Sequence, residues 1–219
     1  MDSILGREVS DIARLRDAGA VGRLLRIIGS RSATLLNVNA LAQDLGVDHK
    51  TVDRHLRILE DLMLVRLHPA WRPSLSAREV KRPKVFLIDT GMLASLLGVD
   101  VAGIMSNDDL ARRAFETFVT MELVKLASWS QTAPRLLHFR DRDRHEVDIV
   151  MEHANADIVG IEVKSSATVG PGDFRSLVHL RDRAPTQFPA GVVMHAGAAT
   201  VPFSDRLWAL PISALWTRP

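Results

Sequence analysis

Residues 145–166, HEVDIVMEHANADIVGIEVKSS, constrain the fold of this chain more than any other stretch. Apolar residues alternate with polar ones in two short runs on either side of Asn155. Such period-two alternation, rich in β-branched residues, is typical of paired β-strands. The apolar residues of the two runs are Val147, Ile149 and Met151, then Val159, Ile161 and Val163. The stretch therefore predicts a half-buried antiparallel hairpin.

A hairpin turn centred on Asn155 places Asp148 opposite Glu162, and Glu146 opposite Lys164. Directly opposed like charges destabilise a strand pair, so two facing carboxylates point to a bound cation. Ligands made only of oxygen suit magnesium or manganese. Two alternatives remain open: the polar face is simply solvated, or another register separates Asp148 from Glu162.

The composition restricts the class of protein. The chain has 219 residues, enough for one large or two small domains, and its apolar and charged fractions of 47% and 25% are ordinary for a globular protein. The absence of cysteine excludes disulfides, thiolate metal sites and a cysteine nucleophile. No apolar run approaches the roughly 20 residues of a membrane span, and no secretory leader is evident. We expect a cytoplasmic protein without a membrane partner.

Residues 37–64 predict two helices joined by a tight turn. Gly46 ends the first helix and Asp48 caps the second, an arrangement typical of a helix-turn-helix. The outward positions of the second helix are His49, Lys50, Asp53, Arg54 and Arg57. Basic side chains there could meet phosphates or base edges of DNA, although the aspartate weakens that interpretation.

The next segment, LVRLHPAWRPSLSAREVKRPKVFLIDT, predicts two strands around a basic loop, which would be the wing of a winged helix. The residues expected to contact DNA from the helix and the wing are Lys50, Arg54, Arg57, Arg72, Arg78, Lys81 and Arg82. Docking to a protein is the alternative function of such a domain.

A second domain is expected after residue 98, which divides the chain into residues 1–98 and 99–219. It opens with a long amphipathic helix at 108–129, followed by a strand at 135–140 and the hairpin. A helix from about 171 to 183, a strand at 191–195 and a last strand with a short helix at 206–215 complete it. This order predicts an α/β domain with helices flanking a sheet.

The polar residues of this domain resemble the signature of the PD-(D/E)XK nuclease superfamily, particularly of archaeal Holliday-junction resolvases. The matching positions are Glu116 in the helix, Asp148 on one strand, and Glu162 with Lys164 on the next. Val147 stands where the superfamily often has proline. The resemblance implies a restriction-endonuclease-like α/β domain with a central mixed sheet, so the whole chain would be an α+β or α/β protein with an N-terminal helical winged-helix domain.

The resemblance also implies a role for each residue. Asp148, Glu162 and the backbone carbonyl of Val163 would hold Mg²⁺ or Mn²⁺, with Glu116 reaching in from the helix. Lys164 would position the nucleophile and stabilise developing charge. The implied activity is metal-dependent hydrolysis of phosphodiester bonds in DNA, branched or single-stranded DNA included.

Nearly the whole chain resembles the C-terminal half of a prokaryotic family of AAA-type ATPases with a nuclease-like tail. The phrases KVFLIDTGM, Phe115–Glu116, EVD and IEVKS follow in the order and spacing of that family. The chain contains no Gly-x-x-x-x-Gly-Lys-Ser/Thr phosphate loop, so it has no nucleotide site of that type. We expect a C-terminal fragment whose partners are DNA, the missing ATPase domain and a further copy of the chain.

Several rival residues and functions remain. Glu122 competes with Glu116 as the helical carboxylate, and a second Glu-x-Lys, at 79–81, reads as a solvated loop. The histidines at 138, 145 and 153 lack a helical zinc-binding spacing, and Asp141 with Asp143 reads as a charged turn. The alternative functions are a catalytically silent module for binding or assembly and a transcription regulator whose second domain only dimerises.

Overall fold

The structure is a computed structural model that describes residues 18–72 and 82–217. The chain divides into two compact units, the first made of Met1–Leu67 with Lys84–Thr117 and the second of His68–Pro83 with Phe118–Pro219. Together they give a mixed α/β protein with helices and a six-stranded mixed sheet.

Where the structure describes it, the first unit is mainly helical, with three short strands. Its elements are α1 (Ala18–Ser30), β1 (Thr34–Leu35), α2 (Val38–Leu45), α3 (His49–Asp61), β2 (Val65–His68), β3 (Lys84–Leu87), α4 (Thr90–Leu97), α5 (Val101–Met105) and the start of α6 (Asp108–Trp129). The strands form a sheet of order β1-β3-β2.

The turn between α2 and α3 forms as the sequence predicts. Gly46 ends α2 in the left-handed conformation at φ 66°, which glycine adopts without a steric penalty. Asp48 caps α3 by accepting a hydrogen bond from the backbone N–H of Thr51 at 2.9 Å. Both predicted helix boundaries are therefore confirmed.

The core of the first unit joins the apolar faces of its helices to its sheet. Leu24 and Ile28 of α1 and Leu56 and Leu59 of α3 are buried in it, together with Val85 of β3. These residues recur three or four positions apart, the spacing that places side chains on one face of a helix.

The second unit contains the rest of α6 and the six-stranded sheet. Its elements after α6 are β4 (Arg135–Arg140), β5 (Glu146–Glu152), β6 (Ile158–Lys164), a 3₁₀ turn (Pro171–Phe174), α7 (Arg175–Arg183), β7 (Ala190–His195), β8 (Val201–Ser204), β9 (Leu207–Pro211) and a final 3₁₀ turn (Ile212–Leu215). The strand order is β4-β5-β6-β7-β9-β8. β6, β7 and β9 run parallel, and the other pairs are antiparallel.

The β5–β6 hairpin has the register that the sequence predicts. Its pairs run from Glu152↔Ile158 to Ile149↔Ile161, and the turn centres on Asn155. The paired residues end at Ile149↔Ile161, one position before the predicted facing of Asp148 and Glu162. The expectation that β5 is half-buried is wrong, because all four residues of 147–150 are buried.

A β-bulge interrupts β5 beside the hairpin. Against β4, Leu137 pairs with Val150 whereas Phe139 pairs with Val147, so Asp148 and Ile149 together face the single residue His138. A bulge re-aims the side chains of the strand that carries the extra residue. Asp148 therefore departs from the simple alternation of its strand.

α7 lies closely against the sheet at β6. A Cβ on Gly160 would stand 2.8 Å from Cδ2 of Leu177, closer than real side chains approach. Leu177 and Leu180 of α7 are fully buried in the core of this unit. The absence of a side chain at Gly160 thus sets how near α7 comes to the strands of the hairpin.

The two strands predicted on either side of the basic loop form as β2 and β3, and residues 68–72 group with the second unit. Ala70 forms a parallel bridge with His138, and Trp71 is buried and packs edge-on against Phe139. Burial of this large ring explains why residues 68–72 group with the sheet of β4. The rest of the predicted wing, 73–81, lies outside the described residues.

The boundaries of the two compact units differ from the domain division that we predict at residue 98. Compact units and evolutionary domains need not coincide, so the domain division stays a prediction. Ile104, Ala111 and Ala114 follow that point, yet they pack in the core of the first unit. The stretch 99–107, just after that point, contains the short helix α5. Among the described residues, no helix combines the length and apolar character needed to cross a membrane.

Candidate functional site

Three of the four predicted catalytic residues meet at the ends of β5 and β6. The Nζ of Lys164 donates a hydrogen bond to Oε1 of Glu162 at 3.1 Å, and the charge of Asp148 also acts on this ammonium. Strand alternation places Glu162 and Lys164 on the same face of β6, which explains their contact. We call Asp148, Glu162, Lys164 and Asp173 the Lys164 cluster.

Asp148 is held in place by the neighbouring strand. Its Oδ2 accepts the backbone N–H of Val163 at 3.0 Å, and the residue is only 8% exposed. This hydrogen bond holds the Asp148 carboxylate on β5 against β6, the strand that carries Glu162 and Lys164. Val163 itself, whose carbonyl is a predicted metal ligand, lies between those two residues on β6.

Asp173 is the member of the cluster that the sequence does not single out. Its Oδ1 lies 3.5 Å from Nζ of Lys164, and its Oδ2 accepts the backbone N–H of Gly170 at 2.8 Å. The second contact closes the 3₁₀ turn that leads into α7. An acid near the start of a helix is so common a capping residue that its sequence position gives no hint of a partner on β6.

The carboxylates determine the ionisation of Lys164. Burial by itself lowers the pKa of this amine. The charge and hydrogen bond of Glu162, together with the charges of Asp148 and Asp173, raise that pKa by a larger amount. The net result is a pKa above the ordinary value, so the ammonium stays charged at neutral pH. Lys164 is suited to holding an anion and not to acting as a general base.

Glu116, the fourth predicted catalytic residue, has a different partner. Its Oε1 accepts a hydrogen bond from Nζ of Lys84 at 2.6 Å, and both side chains are only 2% exposed. Both residues belong to the first unit. The rival Glu122 pairs with Lys125 on the surface of the second unit at 2.5 Å.

Glu146 differs from its expected pairing. The predicted register sets it opposite Lys164, but its carboxylate lies 3.0 Å from Nη1 of Arg140 on β4. Lys164 instead contacts Glu162 and Asp173. The ion pair of Glu146 thus joins β5 to the strand on its other side.

The Lys164 cluster offers carboxylates of the kind that a divalent cation binds, although among the described residues its three carboxylates do not converge within 4.8 Å of one another. Three carboxylates surround one ammonium, which leaves an excess of negative charge in a half-buried place. Carboxylate oxygens are the ligands that Mg²⁺ and Mn²⁺ prefer. Asp148 and Glu162 are the residues that would hold such an ion.

The residues expected to contact DNA are only partly described. Lys50, Arg54 and Arg57 are exposed on α3, as predicted, opposite its buried apolar face. Arg72 is half-buried and Arg82 is exposed. Arg78 and Lys81 lie outside the described residues.

Comparisons with known proteins relate the chain to domains of unknown function. A family model described as Domain of unknown function (DUF8612) matches residues 1–102, and one described as Domain of unknown function (DUF4143) matches residues 112–215. The two matches lie one after the other along the chain and leave residues 103–111 between them.

Two curated mycobacterial proteins are similar to the chain over almost its full length. They are the uncharacterized protein Rv2008c of Mycobacterium tuberculosis and the uncharacterized protein Mb2031c of Mycobacterium bovis. Each is 26% identical over 220 residues, which covers 98% of this chain and 47% of the relative. The chain thus spans about half the length of the curated relatives it matches.

Proposed function

We propose that the second unit is a metal-dependent nuclease that hydrolyses phosphodiester bonds in DNA. The observation that carries this proposal is the position of the Lys164 ammonium between Glu162 and Asp173, with Asp148 fixed on the adjacent strand. Two strand carboxylates and a lysine two residues after the second one reproduce the polar set that the PD-(D/E)XK resemblance implies.

The order of elements around this cluster supports the same proposal. A long helix precedes an antiparallel hairpin, and α7 then leads from β6 to the parallel strand β7. We take this order to be a restriction-endonuclease-like core with a central mixed sheet. β8 and β9 extend that core at one edge.

Each residue has a distinct part in the proposed reaction. A divalent ion bound there supplies charge neutralisation at the scissile phosphate and a more acidic water molecule. Asp148 and Glu162 provide the carboxylates for it, and the hydrogen bond from Val163 keeps Asp148 in position. The ammonium of Lys164 stabilises the negative charge that develops on the phosphate oxygens.

We also propose that the first unit is a winged helix that holds the DNA. α2, the turn at Gly46 and α3 have the order of a helix-turn-helix, and β2 and β3 follow as the strands of a wing. The exposed Lys50, Arg54 and Arg57 supply positive charge for phosphate contacts. In the proposal both units act within a larger protein that includes an ATPase domain.

A cleavage assay tests the nuclease proposal. The chain is incubated with branched, single-stranded and duplex DNA in Mg²⁺ or Mn²⁺, as wild type and as the variants Lys164→Ala and Asp148→Asn. Removal of one charge-stabilising group typically costs about 10²–10³-fold in rate, so we expect both variants to fall at least that far.

Matched controls come from exposed residues outside the Lys164 cluster. Lys125→Ala removes a half-exposed lysine on α6, and Asp182→Asn removes the charge of an exposed acid on α7. Both are expected to cleave like the wild type. Absence of metal-dependent cleavage by the wild type, or equal cleavage by Lys164→Ala, contradicts the proposal.

One observation favours a second candidate, a catalytically silent module for binding or assembly. Glu116 forms a buried ion pair with Lys84, an arrangement that can serve the structure alone. If this glutamate has no part in catalysis, the remaining cluster could be a structural network. DNA binding without cleavage in the same assay favours this candidate.

A further inference from the structure

A second cluster of ligand-type side chains lies in the second unit, outside the Lys164 cluster. Asp141 and His145 stand at the two ends of the β4–β5 loop, and His179 projects from α7. The ligand atoms of these three residues all lie within 4.8 Å of one another. We call them the Asp141 cluster.

Distances to one carboxylate oxygen define the arrangement. Oδ2 of Asp141 lies 2.9 Å from Nε2 of His179 and 3.2 Å from Nδ1 of His145. In a tetrahedral zinc site with bonds of about 2.0–2.1 Å, neighbouring ligand atoms are separated by roughly 3.3 Å. Two of the three separations are therefore close to the spacing that such an ion requires, and the third is no more than 4.8 Å.

The fold holds the carboxylate rigidly while leaving the imidazoles room to adjust. Oδ1 of Asp141 accepts the backbone N–H of His145 at 2.9 Å, and the Asp141 side chain is 3% exposed. Both histidine side chains are 28% exposed. Their rings are stacked at a centroid distance of 3.8 Å and must tilt apart on binding, since a nitrogen lone pair lies in the plane of its ring.

The cluster borders a cavity of about 600 Å³ lined by Asp141, Arg142, Asp143, His179 and Arg183. A site with three protein ligands keeps a coordination position for water or substrate, as catalytic zinc sites do. Nη1 of Arg183 lies 3.9 Å from Oδ2 of Asp141, so the cavity also presents positive charge to an anion at that position.

We propose that Asp141, His145 and His179 form a binding site for one transition-metal ion of the zinc class, separate from the Lys164 cluster. Two imidazoles and one carboxylate favour Zn²⁺, Co²⁺ or Ni²⁺ over Mg²⁺, because nitrogen ligands suit these softer ions. The sequence separates His179 from His145 by the whole hairpin and the 3₁₀ turn. The spacing of residues in the sequence therefore does not reveal the site. The charged turn expected at Asp141 forms one of its walls.

Direct metal titration tests this proposal. The chelator-treated chain, free of any polyhistidine tag, is titrated with Zn²⁺ by calorimetry and with Co²⁺ by visible absorption. We expect one tightly bound ion per chain, since the oxygen-only Lys164 cluster binds these ions more weakly, and cobalt bands typical of mixed nitrogen and oxygen coordination. His179→Ala and Asp141→Asn should each weaken binding by more than the roughly tenfold that loss of even a supporting partner costs.

The controls separate this site from others. His153→Ala changes a histidine of the β5–β6 turn, and Asp148→Asn changes the Lys164 cluster; both should bind Zn²⁺ as tightly as the wild type. His145→Gln provides a second loss variant on the loop, should His179→Ala fail to fold as judged by circular dichroism. Absence of one-to-one binding, unchanged binding in the folded loss variants, or a loss in Asp148→Asn equal to that in His179→Ala would overturn the proposal.

Discussion

At the scale of single residues, carboxylates of the same chemical type have different parts because their partners differ. Glu162 shares Lys164 with Asp173 in a half-exposed setting. Glu116 meets Lys84 where both side chains are nearly inaccessible to water. A buried ion pair is costly to break because the remaining charge has no solvent to stabilise it. Glu116 therefore supports the fold of the first unit, whatever its part in chemistry.

Glu116→Ala is expected to reduce the free energy of unfolding by about 3–5 kcal/mol, since it leaves the Lys84 ammonium buried without this carboxylate. Denaturant unfolding measures the change. Replacing both partners with apolar residues, as in Lys84→Met with Glu116→Leu, should restore most of the stability. As a surface control, Glu122→Ala removes the pair with Lys125 and should cost at most about 1 kcal/mol. A similarly small loss for Glu116→Ala would disprove the structural role.

At the scale of elements, the β5–β6 hairpin and α7 position the Lys164 cluster. The bulge at Asp148 and Ile149 interrupts the alternation of β5, and the backbone of β6 then holds Asp148. α7 reaches its place because Gly160 leaves space for Leu177. The cluster thus depends on two local departures from regular sheet geometry.

Gly160→Ala is expected to destabilise the second unit by about 1–3 kcal/mol, because the added methyl group overlaps Leu177 in a packed core. The matched control is Gly172→Ala, where nothing lies within 4 Å of the added Cβ. Both are measured by denaturant unfolding. Equal stability of the two variants would show that α7 does not need the glycine.

Asp48→Ala tests the cap of α3. Hydrogen bonds from the backbone and the hydroxyl of Thr51 hold the pKa of Asp48 below its ordinary value of 3.8, so the ionised form stabilises the folded chain above that pH. We expect the melting temperature to fall by roughly 2–4 °C near neutral pH. The difference in melting temperature between Asp48→Ala and the wild type should shrink as the pH falls below 3.8. Asp53→Ala, on the same helix without a capping role, should melt like the wild type. A loss of melting temperature in Asp48→Ala that does not change with pH would contradict the capping role.

The sequence allows much of this architecture to be predicted, but not the contacts between distant elements. Period-two alternation and Asn155 gave the hairpin register, and Gly46 with Asp48 gave the helix turn. The roles of Asp173 and His179 could not be predicted, because these residues approach β6 and the β4–β5 loop only after α7 folds back on the sheet. The partner of Trp71 could not be predicted for a related reason, since Phe139 lies on an edge strand far along the chain.

At the scale of the whole molecule, each unit offers its own chemistry. The first presents exposed basic residues on α3, and the second contains both the Lys164 cluster and the Asp141 cluster. Binding through phosphate contacts releases counterions and therefore weakens with salt in proportion to the number of contacts. The number of charges that contact DNA is thus measurable without knowing the substrate.

Replacing Lys50, Arg54 and Arg57 together with alanine is expected to weaken duplex binding and to reduce the slope of log affinity against log salt by about 2.7, or roughly 0.9 for each lost contact. The matched control replaces Arg23 and Arg26, two exposed arginines of α1. An unchanged slope in the triple variant would show that α3 does not face the DNA.

The measurement that most directly tests the proposed nuclease site compares Mn²⁺ binding with DNA cleavage in the same variants. Electron paramagnetic resonance measures the Mn²⁺ binding. His179→Ala is present in every sample, so that the Asp141 cluster does not contribute. Asp148→Asn and Glu162→Gln should lose Mn²⁺ binding and cleavage together. Lys164→Ala should bind Mn²⁺ at least as tightly, because a positive charge is gone, yet fail to cleave DNA. Mn²⁺ binding that is the same in all three variants, or absent from the parent protein, would contradict the account.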